Sequence, residues 1–366
     1  MNRRWICNDL WMDIFPCFNR PQLGLKLALL SPRFDVLVDK HFDGKRELTI
    51  WKSIGISKGT GTKPKLSVEK DDNFVDFPLP VDRPLPSKIR FGCLPISYID
   101  HSVIAFLRLN HQIFDKRGTN LHLSIPSSHT ADGHSIRDIF VREIWPIFST
   151  NIRQLNFTDG DDLDNLRTLI APTILTDLLT LNSIDIFGRL PAAISGVFDG
   201  PNGTVSAGQA LSKWLHSPRK DGQPKRLRCE DSNEQADYNW INSFKEQFLR
   251  ANAISSVSYE IHFPVHVSSK QIVPFELFNE CTTEKLTLAK EYENESSIDW
   301  IMKRCKISGE KTAAVQQQQK INENWDNCNT VYIWLFSDTN CIGPLSPPPE
   351  EVEEEAGQSI TKGRNE

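Results

Sequence analysis

No CxxC pair occurs among the 8 cysteines, which are scattered from Cys7 to Cys341. That spacing indicates neither a zinc framework nor a dense disulfide scaffold, and the thiols read as the reduced ones of an intracellular protein. No apolar segment is long enough to cross a bilayer free of charges. A basic surplus is missing as well: 42 Lys and Arg stand against 47 Asp and Glu, a formal net charge of -5. Wholesale nucleic-acid binding is thereby excluded as the main task. Arg3 and Arg4 give a basic start, but Asp9 and Asp13 break the apolar stretch, and no small-residue cleavage site follows. The opening is therefore not read as a secretory signal. The glycosylation triplets at Asn156, Asn202 and Asn294 then read as chance matches.

Motifs that carry chemistry are sparse too. Gly59-Thr60-Gly61-Thr62-Lys63 lacks phosphate-loop spacing. Asp159-Gly160-Asp161-Asp162 lacks the spaced ligands of a calcium loop and suits capping of a helix at Leu163. His101, His111, His129 and His134 have no third ligand nearby in sequence. Cys229 and Cys305 fall in strand-like runs, where burial suits them better than nucleophilic work. The basic stretch Arg219, Lys220, Lys225, Arg226 and Arg228 reads as a solvated loop entering a strand. No catalytic constellation, metal site or cofactor site is specified. The expectation is a non-catalytic, membrane-free protein of the cytoplasm, the nucleus or both.

What the chain does have is enough apolar sequence to fold: 39% hydrophobic and 24% charged residues. At 366 residues it exceeds one compact core and suggests two or three units. The segment from Asn8 to Phe34 is apolar yet carries Pro16, Pro21 and Pro32. Three short helices fit it. The first places Leu10, Ile14 and Phe15 on one face, with Asn8 as N-cap and Pro16 ending it. Pro21 starts the second, which carries Leu23, Leu27 and Leu30. Ser31-Pro32 caps and starts the third, with Phe34, Leu37 and Val38. So small a unit cannot cover this surface alone, so it docks either on the rest of the chain or on a partner.

Asp9-Leu10, Ile14-Phe15, Phe18, Leu23, Leu30 and Ser31-Pro32-Arg33-Phe34 with Leu37 together resemble an F-box; Ile6-Cys7 stands where that motif has leucine-proline. F-boxes bind the Skp linker protein of cullin–RING ubiquitin ligases. The resemblance implies that Leu10, Ile14, Phe15, Pro21 and Leu23 face that partner, a few apolar anchors carrying the contact.

From residue 46 to 86 the chain reads as a linker or lead-in, loosened by Gly59 to Pro64 and extended through Phe77-Pro78-Leu79-Pro80. Strand-like runs then begin at Ile89, Leu121, Ile152, Ser183, Arg226 and Ser256, at intervals of 32, 31, 31, 43 and 30 residues. Amphipathic helical stretches lie between them, one of them near Ala207 to Leu215 after an inserted loop. Alternation at a near-fixed period predicts a strand–helix solenoid over 87–270, similar to a leucine-rich-repeat horseshoe. An ordinary open α/β sheet is the competitor. Strand alternation turns Leu121, Leu123, Leu155, Phe157, Ile184, Ile186, Leu227 and Cys229 toward the helices. The other face then carries Arg90, His122, Gln154, Asn156, Asp185, Arg226, Arg228, Glu260 and His262, a polar row suited to hold a protein target.

Residues 271–342 change character. Phe275-Glu276-Leu277-Phe278, Lys285-Leu286-Thr287-Leu288, Trp300 to Cys305 and Val331 to Phe336 read as strands, and Glu310 to Asn324 as a polar helix. The expectation is a small antiparallel β-rich cap on the solenoid, followed by an acidic, disordered tail over 343–366. The whole order, with EKLTLAKE and DWIMKRC, resembles an expanded nematode F-box family. That resemblance implies a substrate-recognition adaptor, bound to the Skp linker protein and the cullin ligase core, whose repeats hold a protein target. The rivals are an interaction protein unconnected to ubiquitination and a divergent α/β enzyme, for which a pocket of His and carboxylates at the strand ends would speak.

Overall fold

The computed structural model describes residues 6–18, 22–43, 49–51, 54–61, 63–70, 73–85, 89–125, 137–188, 206–230, 238–252, 257–267, 272–307, 328–334 and 342–345. Its strands are β1 (Thr49–Trp51), β2 (Ile54–Lys58), β3 (Pro64–Lys70), β4 (Asn73–Pro78), β5 (Ile89–Phe91), β6 (Leu94–Ile96), β7 (Thr119–Ser124) and β8 (Ile152–Phe157). There follow β9 (Ser183–Ile186), β10 (Lys225–Cys229), β11 (Tyr259–His266), β12 (Phe275–Asn279), β13 (Glu284–Glu293), β14 (Ser297–Lys306) and β15 (Asn329–Trp334). Thirteen of them form one mixed sheet in the order β12-β13-β14-β11-β10-β9-β8-β7-β15-β6-β2-β3-β4. From β7 to β11 each strand lies parallel beside its predecessor in the chain. The protein is thus a mixed α/β fold built on a large sheet, and none of its described helices is long and apolar enough to cross a membrane.

Helices fill the crossovers. His101–Leu109 starts at Asp100, whose side chain accepts from Val103 N at 2.9 Å. Gly160–Leu169 starts with a reciprocal capping box between Asp159 and Asp162, and Ala207–His216 with one between Ser206 and Gln209. Asp159-Gly160-Asp161-Asp162 is therefore a helix start, as its composition predicts. Phe106, Leu166, Leu211 and Trp214 on these helices, and Phe244 on helix Trp240–Arg250, share one buried cluster with Leu121, Leu155, Ile184, Leu227 and Ile261 on the strands. The alternation read from sequence holds: one strand face is apolar and meets the helices.

Three expectations are corrected. Residues 46–86 are not a linker: β2, β3 and β4 extend the sheet, and Ile56, Leu66, Val68 and Phe77 are buried. The run at Ile89 does not open the parallel series; β5 pairs with β1 in a separate two-stranded sheet. Its expected place beside β7 is taken by β15, which lies parallel between β6 and β7 and not in a C-terminal cap. Asn329 fixes this insertion. It is fully buried, accepts from Phe91 N at 2.9 Å and donates to Ile113 O at 2.9 Å. The rest of the C-terminal region, β12 to β14, is antiparallel as expected but continues the sheet through β14–β11 pairing. Gly343 and Pro344 are held at Ile99 and His101, while the polar-helix segment 310–324 and the tail from 346 lie outside the described residues.

The N-terminal segment folds on itself. Helix Asn8–Ile14 tightens into a 3-10 turn at Phe15–Cys17, and the chain is extended at Phe18, so Pro16 does end the helix. Asn8 is not its cap; Cys7 takes that position and Asn8 Oδ1 accepts from Arg33 Nη2 at 2.7 Å. The middle piece is irregular, a π turn over Leu23–Leu27 and a 3-10 turn over Ala28–Leu30. Ser31 is extended and Pro32–Asp43 is helical, with Ser31 Oγ accepting from Phe34 N at 3.4 Å. Phe15, Leu23, Ala28, Leu37, Val38 and Phe42 form a small core of their own.

Candidate functional site

The polar face of the parallel strands carries two rows of side chains. Strand register sets Tyr332, His122, Asn156, Asp185, Arg228 and His262 side by side. One step along, it sets Asn120, Gln154, Ser183, Arg226, Glu260 and Lys303 side by side. Eight of the nine residues expected on this face are there. Arg90 is not, because β5 belongs to the two-stranded sheet. Tyr332, Asn120, Ser183 and Lys303 join the rows without having been foreseen. The alternation of DWIMKRC already sets Lys303 opposite Met302, but only the antiparallel pairing of β14 with β11 brings it to Glu260.

The rows are not merely solvated. Glu260 is 7% exposed and Asn156 2% exposed. Glu260 Oε2 lies 3.3 Å from Arg226 Nε and 3.6 Å from His262 Nε2, and Oε1 lies 3.3 Å from Lys303 Nζ. Burial pushes the Glu260 carboxyl up, but the His262 hydrogen bond and the Lys303 and Arg226 charges outweigh it and hold it at about 2. His262 Nδ1 also meets Glu291 Oε2 at 3.1 Å. Arg228, whose side chain is largely exposed, reaches Glu230 at 3.5 Å. His122 stacks on Tyr332 at 4.0 Å between ring centroids, and burial lowers its imidazole to about 4.

Asp185 differs from these groups. Gln154 Nε2 donates to its Oδ2 at 2.9 Å and Ser183 Oγ to its Oδ1 at 3.3 Å, both neutral donors. Burial pushes its carboxyl up to about 6, against the pull of the Arg228 charge and the Ser183 hydroxyl. It sits in a cavity of about 400 Å³ lined on the sheet by Gln154, Ser183, Asp185, Arg226, Arg228 and His262, with Glu291 and Asp299 from the β13–β14 hairpin beside them. Asp185 and Arg228 stand next to the C-terminal ends of β9 and β10 and Glu230 follows β10, so the cavity lies on the sheet face near those strand ends. Among the described residues no group of three His, Cys, Asp or Glu could hold a metal ion.

The other candidate surface is the N-terminal segment. Leu10 is 53% exposed and Ile14 half-buried. Ile6, Phe18, Leu30 and Val36 are exposed as well. Pro21 lies outside the described residues. Phe15 and Leu23 are corrections: at 0% and 1% exposure they are core residues of the segment and face no partner. Their burial has a physical cause, since Trp11, Phe15, Phe34 and His41 pack as tilted and edge-on rings 4.8 to 6.1 Å apart. Among the described residues its contacts with the sheet include Leu25 in the main core, Lys26 over the Phe77 ring at 5.1 Å, and Arg83 Nη1 on Ala28 O at 3.4 Å. No protein-family model, curated protein or solved structure matches the chain.

Proposed function

We propose that this chain is a substrate-recognition adaptor of a Skp–cullin–F-box ubiquitin ligase. The observation that carries the reading is the N-terminal segment. It packs its own small core and still leaves Ile6, Leu10, Phe18, Leu30 and Val36 exposed, an apolar surface that its fold does not use. Leu10 and Ile14, one helical turn apart, supply the partner's anchors. The one-step order of β7 to β11, with apolar side chains turned to the helices, supports reading this part as a strand–helix horseshoe whose open polar face holds a protein target. The chain then works by proximity, raising the effective concentration of the target's lysines near the ubiquitin donor. It contributes no acid–base chemistry, and it acts inside the cell.

Co-purification with the Skp linker protein tests this. Wild type is expected to bind, and Leu10→Glu and Ile14→Glu to stay folded and fail to bind. If Leu10→Glu binds as wild type does, or wild type does not bind at all, the adaptor reading falls. Phe15→Glu is no substitute, because it strikes the segment's core.

A further inference from the structure

We propose that the cavity on the open sheet face takes the basic side chain, lysine or arginine, of a segment of the protein target. This rests on the reading of that face as the target-holding surface.

The argument is a charge account of the cavity. Each basic residue lining it is already matched: Arg226 by Glu260, Arg228 by Glu230, and His262 by Glu260 and Glu291. Two of its carboxylates are not. Asp185 hydrogen-bonds only an amide and a hydroxyl and feels the neighbouring Arg228 charge without an ion pair to it, and Asp299 on the hairpin has no ion pair among the described residues. Asp185 is also the desolvated one, which is why its carboxyl lies so far above its ordinary value. A carboxylate in that position gains more from an incoming cation than an exposed one does, because water no longer screens the pair. A lysine or arginine side chain of the target segment supplies that cation. A metal ion does not suit the site: the described carboxylates and imidazoles form no ligand set for one.

The test uses the full chain and end-blocked pentapeptides, Gly-Ser-X-Ser-Gly, with X as lysine, arginine or glutamate, in titration calorimetry at pH 7.5. Saturable 1:1 binding of the lysine or arginine peptide is expected, weakened at least tenfold in Asp185→Asn, with the glutamate peptide silent. Asp299→Asn is expected to weaken binding as well and covers the case in which Asp185→Asn does not fold. Absence of binding by both basic peptides, equal binding of the glutamate peptide, or unchanged affinity in a folded Asp185→Asn overturns the proposal. Tighter binding of free cadaverine than of the lysine peptide also overturns it, assigning the cavity to a small amine. Capture of the Skp linker protein is read in parallel on the same variants. Loss of peptide binding with that capture intact removes this inference alone, whereas loss of the capture in wild type removes the adaptor reading.

Discussion

Phe15→Ala and Leu10→Ala, five residues apart, are expected to differ by orders of magnitude in effect. Phe15 is fully buried among five other core side chains of the N-terminal segment, with rings at Trp11 and His41 against it. Truncating such a Phe costs ~3–5 kcal/mol, from lost transfer energy and the cavity left behind. A core of six side chains is a small unit with little stability to lose. The segment should therefore open while the sheet stays closed, since the two clusters are separate. Hydrogen exchange reads this directly. Amides of Asn8–Ile14 and Pro32–Asp43 should exchange on the order of 10²–10³-fold faster in Phe15→Ala, with β7 to β11 unchanged. Leu10 is 53% exposed, so Leu10→Ala should stay within about 0.5 kcal/mol and leave exchange as in wild type. Equal protection in Phe15→Ala and wild type would refute the core assignment. Equal loss of protection across β7 to β11 would refute the separation of the two cores.

Glu284 and Arg304 form a buried pair at 2.6 Å, 0% and 6% exposed in their side chains, with the guanidinium 5.5 Å from the Phe248 ring. Glu284→Leu should cost ~3–5 kcal/mol in urea unfolding by stranding the guanidinium, and adding Arg304→Met should restore most of it. Breaking the exposed Lys65–Asp76 pair with Lys65→Met should cost under about 1 kcal/mol. Two carboxylates of the polar face should respond to pH with opposite signs. The Asp185 carboxyl, at about 6 against an ordinary 3.8, binds its proton more tightly when folded. Its contribution to stability thus falls as pH rises from about 4 to 6 and stays low above. Around it stand Gln154 and Asn156 on β8, Arg228 on β10 with Glu230 just after it, and His262 on β11. Asp185→Asn should accordingly be stabilised relative to wild type at pH 7.5 and not at pH 4. Glu260, at about 2 against an ordinary 4.5, stabilises above about 4.5 and loses that as pH falls toward 2. Glu260→Gln should then be destabilised at pH 7.5, and a gain there would reject the account of its three basic neighbours.

Local pattern made the helices, the parallel strands and the polar face readable, because each follows from residues close in the chain. The alternation in LHLSI and IRQLNF fixes which side chains meet the helices, and Asp159 and Ser206 mark helix starts by short-range capping. Several misreadings concern pairing across long separations. Nothing near VYIWLF says that it lies between β6 and β7; Asn329 does that through Phe91 and Ile113, more than 200 residues away. The same holds for Arg90, whose strand reads like the others but pairs with β1. Gly59 to Pro64 looks like a loop, yet Pro64 already belongs to β3, which pairs antiparallel with β2 and extends the sheet. At the N-terminus the pattern found the apolar residues but not their direction. A helix of seven residues has too few turns to separate an inward from an outward face, so Phe15 and Leu10 could be told apart only by what packs on them.

If the proposed adaptor reading holds, the two surfaces must also be held at a fixed distance, since effective concentration falls when the connection loosens. Among the described residues, Leu25 leaves the N-terminal segment to join the main core, and Lys26 and Arg83 make further contacts. Leu25 is 2% exposed, so Leu25→Ala removes buried apolar surface from that joint and from neither binding surface. Capture of the Skp linker protein and of the basic peptide should both persist in Leu25→Ala, while ubiquitin transfer to a captured target should slow. Loss of either binding event would mean that Leu25 supports a surface and not the joint, and transfer at the wild-type rate would mean that the joint is not what sets the distance.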